Sequence, residues 1–201
     1  MTQQVPAVTN NNNNTQVIPQ PVATPQLIQL REPLLGIAVG KKGVGKTYTT
    51  FKALLDYVRG NMQQGIKPRK VLIIDVNNEY QGVKRIDAKN IQLFAVHPII
   101  EMRRIVPYKP DGNKMTLNEI AELLWKCLKE FSGGLLLIED INKYVSHTFP
   151  QDLLGAICTN RHSDLDIIMH YQSIGKITPT LWQNANWIRF HKNNDSVRRH
   201  E

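Results

Sequence analysis

The sequence has little of several features that mark particular protein classes. It contains two cysteines and no C-x-x-C pair or histidine–cysteine cluster, which argues against a zinc site. Cys127 and Cys158 lie within apolar helical patterns, so we expect buried thiols in a reducing compartment. No apolar run approaches the roughly 20 residues that a membrane-spanning helix needs. We therefore expect no membrane segment and a cytoplasmic location.

Charged residues are absent from residues 1–30, which instead hold an asparagine run at 10–14, six glutamines and four prolines. Such a segment buries too little apolar surface to offset the entropy cost of ordering it. It also lacks the basic start and long apolar core of a signal peptide. We predict a disordered Asn/Gln/Pro-rich tail over 1–30 and one folded domain over 31–201. The tail is either inert or a partner-binding arm.

The formal net charge of +8 lies entirely on residues 31–201, and the isoelectric point is about 9.5. This balance favours polyanionic partners such as nucleic acid, although a basic solvated surface explains it equally well.

The clearest motif is the run GKKGVGKT at residues 40–47, which fits the phosphate-binding pattern G-x-x-x-x-G-K-[ST]. Glycines let the backbone turn its N–H groups inward, and the N-terminus of the following helix adds partial positive charge. Lys46 then reaches the β- and γ-phosphates, and the Thr47 hydroxyl ligates Mg²⁺. The loop predicts binding of a nucleoside triphosphate. The residues expected to bind it are Gly40, Gly43, Val44, Gly45, Lys46, Thr47 and Tyr48.

Strand-like and helix-like patterns alternate along the domain. Strands are predicted at 34–39, 71–74, 91–96, 103–106, 135–138, 165–169 and 187–190, and helices at 51–58, 117–131, 153–158 and within 177–186. The strand at 103–106 is the weakest, and the middle section is expected to form an edge hairpin or an extra strand. Alternation of this kind predicts an α/β fold with a mainly parallel central sheet and helices on both faces.

Polar residues follow several of these strands. Glu139 and Asp140 come directly after the apolar run 135–138, an arrangement in which one carboxylate holds Mg²⁺ and the other polarises the attacking water. Asp75 and Gln172 follow two other strands. Because the carboxyl ends of parallel strands meet at one edge, we expect these residues and Gly40 to form one site.

These motifs, in this order, resemble the HerA/FtsK superfamily of P-loop ATPases. The resemblance rests on the loop at 40–47, on 75–80, on the Glu139-Asp140 pair, on 160–162 and on Gln172, and it covers about residues 34–192. It is strongest to the viral genome-packaging members, and it implies a P-loop NTPase fold of the additional-strand type that uses ATP and Mg²⁺. It also implies that Gln172 senses the γ-phosphate and that Arg161 is an arginine finger acting in trans within a homo-oligomeric ring.

One departure from the family concerns the acidic pair, which in the family reads Asp-Glu. The resemblance assigns the magnesium role to Glu139 and the water-polarising role to Asp140, whose side chain is one methylene shorter. Glu79 is a rival base, because RecA-like relatives place theirs on the corresponding strand.

Taken together, the sequence predicts a motor subunit that translocates DNA without sequence preference, packages a viral genome and contacts a capsid portal or vertex protein. Such a protein would lie in the host cytoplasm or be associated with the virion. Candidate DNA-contacting cations are Lys84, Arg85, Lys89, Arg103 and Arg104, although a solvated basic face explains them equally well. The alternatives are a secretion ATPase of the zonular-occludens-toxin type, a small P-loop kinase and a non-catalytic nucleotide-binding scaffold.

Overall fold

A computed structural model describes residues 32–141 and 151–192, except for the side chains of residues 160 and 161. The tail predicted over residues 1–30 lies outside this part of the chain, as do the last nine residues. None of the helices in the described residues is long and apolar enough to cross a membrane.

The described residues form a six-stranded sheet in which every pair of neighbouring strands is parallel. The strands are β1 Leu35–Val39, β2 Lys70–Ile74, β3 Met102–Ile105, β4 Gly134–Ile138, β5 Asp166–Tyr171 and β6 Trp187–Phe190. Their order across the sheet is β3-β2-β4-β5-β1-β6. Strand β5 therefore lies between β1, which leads into the glycine-rich loop, and β4, which leads into the acidic pair. The predicted α/β fold of the additional-strand type is confirmed.

Within residues 32–141 and 151–192, five α-helices accompany the sheet: α1 Lys46–Arg59, α2 Ile91–Val96, α3 Leu117–Glu130, α4 Gln151–Cys158 and α5 Pro179–Asn184. Helix α3 begins with a capping box, in which Thr116 accepts a hydrogen bond from the Glu119 N–H and Glu119 bonds back to the Thr116 N–H. Helix α5 begins after the N-cap Thr178 with Pro179 in its first turn. Backbone N–H groups in the first turn have no partner within the helix, so the missing N–H of proline costs no hydrogen bond there.

The prediction of a strand at residues 91–96 was wrong, because this run forms helix α2. Ile91 and Phe94, three residues apart, are buried, whereas Leu93 and Val96 are 64% and 74% exposed. Burial thus recurs with the helical period, and a short apolar run does not distinguish the two periods by composition alone. The middle section contributes β3 as an edge strand parallel to β2, so of the two predicted alternatives the extra strand is found and the edge hairpin is not.

Apolar side chains alternate between the two faces of the sheet and build a core on each. On one face, Val71, Ile73, Leu135 and Leu137 pack with Leu54 of α1. On the other, a larger cluster joins the strands to α2, α3, α4 and α5. Full burial of one such side chain contributes roughly 1.5–3 kcal/mol, so the sheet is a rigid support for the loops at its carboxyl edge.

Candidate active site

The glycine-rich loop joins β1 to α1 at the carboxyl edge of the sheet. Gly43 and Gly45 adopt φ angles of 79° and 85°, in the left-handed region that glycine enters without strain. Gly45 is the N-cap of α1 and makes no side-chain capping hydrogen bond, and the first turn carries no acidic residue. The N–H groups of this 14-residue helix therefore begin without a side-chain acceptor, which suits an anionic group such as a phosphate.

Lys46 is buried within this loop. Its Nζ donates hydrogen bonds to the carbonyl oxygens of Gly40 and, at 3.0 Å, of Lys41. Burial lowers the pKa of the ammonium, and the nearby carboxylates of Asp140, Glu139 and Glu79 act in the opposite direction. The cation thus lies among three acidic side chains that come from two different loops.

The Thr47 hydroxyl is the point on which two of these acids converge. Its Oγ1 lies 2.8 Å from Glu79 Oε2 and 3.4 Å from Glu139 Oε1, and its single proton serves one of them at a time. The Glu139 side chain is buried, and its Oε2 makes no hydrogen bond. Burial raises the pKa of the Tyr80 hydroxyl, and the nearby Glu139 carboxylate raises it further. A hydroxyl beside an unsatisfied carboxylate oxygen fits Mg²⁺, which proteins hold through few side chains together with nucleotide phosphates.

Asp140 follows β4 and lies beside Lys46 with an unusual backbone. Its φ is 44°, a left-handed conformation that costs a residue with a side chain roughly 1–3 kcal/mol. Asn77 Nδ2 donates a 2.6 Å hydrogen bond to Asp140 Oδ2, which joins the loops after β2 and β4. Strain of this kind persists where the surroundings impose it, and functional sites are where it concentrates.

His170 belongs to the site and was missed from the sequence. It lies near the end of β5, almost fully buried, with Nε2 2.9 Å from Thr50 Oγ1 of α1 and Nδ1 3.5 Å from Glu139 Oε1. The imidazole thereby connects α1, β5 and the acidic pair. The available signal was a polar side chain inside an otherwise apolar strand pattern.

Gln172 and Tyr48 line the same cavity, which has a volume of about 300 Å³. Lys42, Gly43, Gly45, Lys46, Thr47, Asn77, Glu79, Glu139, Asp140 and His170 complete its lining. The Tyr48 ring is 66% exposed, and the Lys52 ammonium lies 4.6 Å from its centroid. Gln172 and Tyr48 therefore lie beside the glycine-rich loop.

Arg161 lies elsewhere. Its backbone belongs to the 3₁₀ segment Asn160–Ser163, which precedes β5 and so lies at the amino edge of the sheet. The cavity lies at the carboxyl edge, beyond the six residues of β5, a span of about 20 Å. The Arg161 side chain is outside the described residues. The structure does not place Arg161 at the site of its own chain.

Two other predicted positions require correction. Asp75 ends β2 but does not line the cavity; it forms an ion pair with Arg104 at 2.7 Å. Arg104 is therefore buried rather than available to DNA. Arg103 is paired with Glu101 at 2.5 Å. Of the proposed DNA-contacting cations, Lys84, Arg85 and Lys89 are exposed.

Comparison with known proteins finds the fold in solved structures. No protein-family model matches the sequence, and no curated protein sequence matches it. The genome packaging NTPase B204 from Sulfolobus turreted icosahedral virus 2, solved in complex with ATP-gammaS, is 15% identical with a TM-score of 0.58. The match covers 80% of this chain and 75% of that one.

Two further solved structures are similar to this chain. B204, the DNA-packaging ATPase from Sulfolobus turreted icosahedral virus, is 16% identical at a TM-score of 0.53, over 80% of this chain and 76% of that one. The N-terminal domain of zonular occludens toxin from Neisseria meningitidis is 14% identical at a TM-score of 0.49, over 82% and 79%. The resemblance to viral genome-packaging ATPases is confirmed at the level of the fold.

Proposed function

We propose that this protein is a Mg²⁺-dependent ATPase that translocates DNA as a subunit of a homo-oligomeric ring. The observation that carries the proposal is the group around Thr47. A phosphate-binding loop with a buried lysine, an unsatisfied buried carboxylate and two further acids meet at one cavity. That combination holds a triphosphate and its cation on one side and offers a proton acceptor on the other.

The residues divide the chemistry among them. The loop N–H groups and Lys46 bind the phosphates, for which Lys46 exchanges its carbonyl partners for phosphoryl oxygens. Thr47 and Glu139 would hold Mg²⁺, which when bound offsets charge on the phosphates. Water attacks the γ-phosphorus and its proton passes to Asp140 or Glu79, while the bond to the ADP oxygen breaks. Gln172 is the proposed sensor of the γ-phosphate, and Tyr48 contacts the nucleotide.

DNA as the substrate, and packaging as the task, rest on the likeness to B204, which is described as a genome packaging NTPase. A capsid portal or vertex protein is the partner that this task requires. Lys84, Arg85 and Lys89 are exposed cations suited to phosphate contacts, which are independent of sequence and weaken steeply with salt. Arg161 acts on the site of a neighbouring subunit, because its own site lies at the opposite edge of the sheet.

The proposal is tested by measuring ATP hydrolysis with and without duplex DNA, at low and high salt, for the wild type and Lys46→Ala. We expect DNA to stimulate hydrolysis at low salt, high salt to abolish the stimulation, and Lys46→Ala to abolish turnover. Lys67→Ala, which removes an exposed lysine far from the loop, is the matched control and should behave as wild type. Hydrolysis that DNA does not affect would refute translocation and leave the secretion ATPase or a kinase.

A further inference from the structure

A buried acid at the end of β2 is bonded on several sides. Asp75 is completely buried, and its carboxylate accepts three hydrogen bonds from three residues on two segments. Oδ1 accepts from the Glu79 N–H at 2.8 Å, and Oδ2 accepts from the Tyr80 N–H at 3.0 Å and from Arg104 Nη1 at 2.7 Å. The carboxylate therefore fixes the backbone at Glu79 and Tyr80 directly, as a cap fixes the start of a helix.

Arg104, on β3, holds the same segment from its other side. Its Nη1 also donates to Asn78 Oδ1 at 2.5 Å, and its Nε donates to the Val83 carbonyl at 2.9 Å. Its backbone bonds to the carbonyl of Lys84 and to the N–H of Ile86. The edge strand β3 and one guanidinium thus fasten the chain from 78 to 86.

The segment that is held carries Glu79. The Glu79 side chain is on the exposed surface, where a glutamate on an irregular loop would sample many rotamers. Its Oε2 nevertheless lies 2.8 Å from Thr47 Oγ1, the hydroxyl proposed to hold Mg²⁺. A buried ion pair adds little net stability compared with an apolar pair, so stability alone does not account for this pair.

We infer that the Asp75–Arg104 pair is a positioning device for Glu79, and that Glu79 is a catalytic carboxylate that contacts the Mg²⁺ ion or its bound water. This inference rests on the proposed function, because it assigns further residues to the same site. Asp75 and Arg104 touch neither the cavity nor Thr47 and act only through the loop that they hold. Glu79, in the loop after β2, thereby complements Glu139 and Asp140, which follow β4.

A double-mutant cycle between Arg104 and Glu79 tests the inference. Glu79→Gln should lower kcat roughly 100-fold, within the range for loss of a catalytic acid or base. Arg104→Gln should lower kcat by about 10-fold or more, and Arg104→Lys, which keeps the charge, should recover part of it. Because Arg104 acts through Glu79, the double variant should be no slower than Glu79→Gln alone.

A second readout does not depend on turnover. Calorimetry should show that Glu79→Gln and Arg104→Gln each reduce the gain in ATP-gammaS affinity on adding Mg²⁺, while the affinity without Mg²⁺ stays the same. Arg103→Gln is the matched control, since it removes a neighbouring arginine on β3 that pairs only with Glu101 among its described contacts. It should change neither quantity. If Arg104→Gln does not fold, Asn78→Gly replaces it, because it removes the hydrogen bond from Arg104 to Asn78 Oδ1. Glycine accepts the Asn78 φ of 55° without strain.

Two results would overturn the inference. The first is a loss of kcat on changing Arg104 that is equally large with and without Glu79, which is the behaviour of a purely structural pair. The second is a Glu79→Gln variant with the wild-type rate and Mg²⁺ dependence. A wild type that binds ATP-gammaS with Mg²⁺ but hydrolyses no ATP rejects the proposed function instead, and the affinity measurements still decide the role of Glu79.

Discussion

At the scale of single residues, the glycines of the phosphate-binding loop have a conformational role. A Cβ at Gly45 would meet no atom within 4 Å, so space does not explain the glycine there. Its φ of 85° explains the glycine, because a residue with a side chain costs roughly 1–2 kcal/mol in this left-handed region of the backbone. We predict that Gly45→Ala lowers the free energy of unfolding by about that amount and weakens ATP-gammaS binding, measured by urea denaturation and calorimetry.

Gly155 supplies the control for this substitution. It lies on the exposed side of α4, has no positive φ, and a Cβ there would also meet nothing within 4 Å. Gly155→Ala should therefore raise stability by about 0.5–1 kcal/mol, the usual gain of alanine over glycine within a helix. If the two substitutions destabilise equally, the left-handed backbone at Gly45 is not what requires glycine.

Residues of the site differed in how far the sequence could identify them. Lys46 and Thr47 follow from a motif, because the chemistry of phosphate binding fixes their spacing. His170 and the Asp75–Arg104 pair follow from no motif, since each depends on which strands are neighbours. Arg104 looked like a surface cation in the sequence, and only the parallel pairing of β2 and β3 brings it against a buried carboxylate.

At the scale of elements, the start of α3 makes a prediction about pH. The pKa of Glu119 is lowered to about 2, first by its hydrogen bond with Lys109 and then by the Thr116 cap. A carboxyl with a lowered folded pKa stabilises the fold above its unfolded pKa of about 4.5, and that contribution is lost as the pH falls toward 2. Glu119→Gln should thus reduce the loss of stability between pH 5 and pH 2 in urea denaturation.

Glu122→Gln is the control for this pH effect, because Glu122 is exposed on the same helix outside the capping box. It should leave the pH dependence of wild type nearly intact. Salt at high concentration should diminish the contribution of Glu119, since its partner Lys109 is also exposed to solvent. An unchanged pH profile for Glu119→Gln would mean that neither the pair with Lys109 nor the capping box persists in solution.

Elements were predictable where their pattern was long or bounded by specific residues. Helix α3 combines a capping box with an apolar stripe over 14 residues, and both signals agree. Helix α2 has only six residues, and so short an apolar run fits the spacing of a strand as well as the spacing of a helix. The order of the strands also lay beyond the sequence, because it depends on long-range pairing rather than on local preference.

At the scale of the whole molecule, the cavity and the segment that carries Arg161 lie at opposite edges of the sheet. Every strand ends at the edge that carries the cavity, and the segment with Arg161 lies before β5, at the other edge. An arginine there reaches a nucleotide only if a neighbouring subunit presents its cavity to that edge. Such head-to-tail contacts are what close a ring. The sheet order therefore links the proposed finger to oligomerisation.

This link predicts complementation between two inactive variants. Arg161→Ala should lower ATP hydrolysis by a factor on the order of 10³, the usual worth of an arginine finger, and Lys46→Ala should abolish it. In a 1:1 mixture, about a quarter of head-to-tail interfaces join an intact loop to an intact arginine, so a corresponding fraction of wild-type activity should return. The control replaces the Lys46→Ala partner with Lys46→Ala/Arg161→Ala, which supplies no arginine. Recovery with the single variant but not with the double variant requires Arg161 to act across a subunit boundary, whereas equal inactivity of both mixtures removes the reason to assign it to the site.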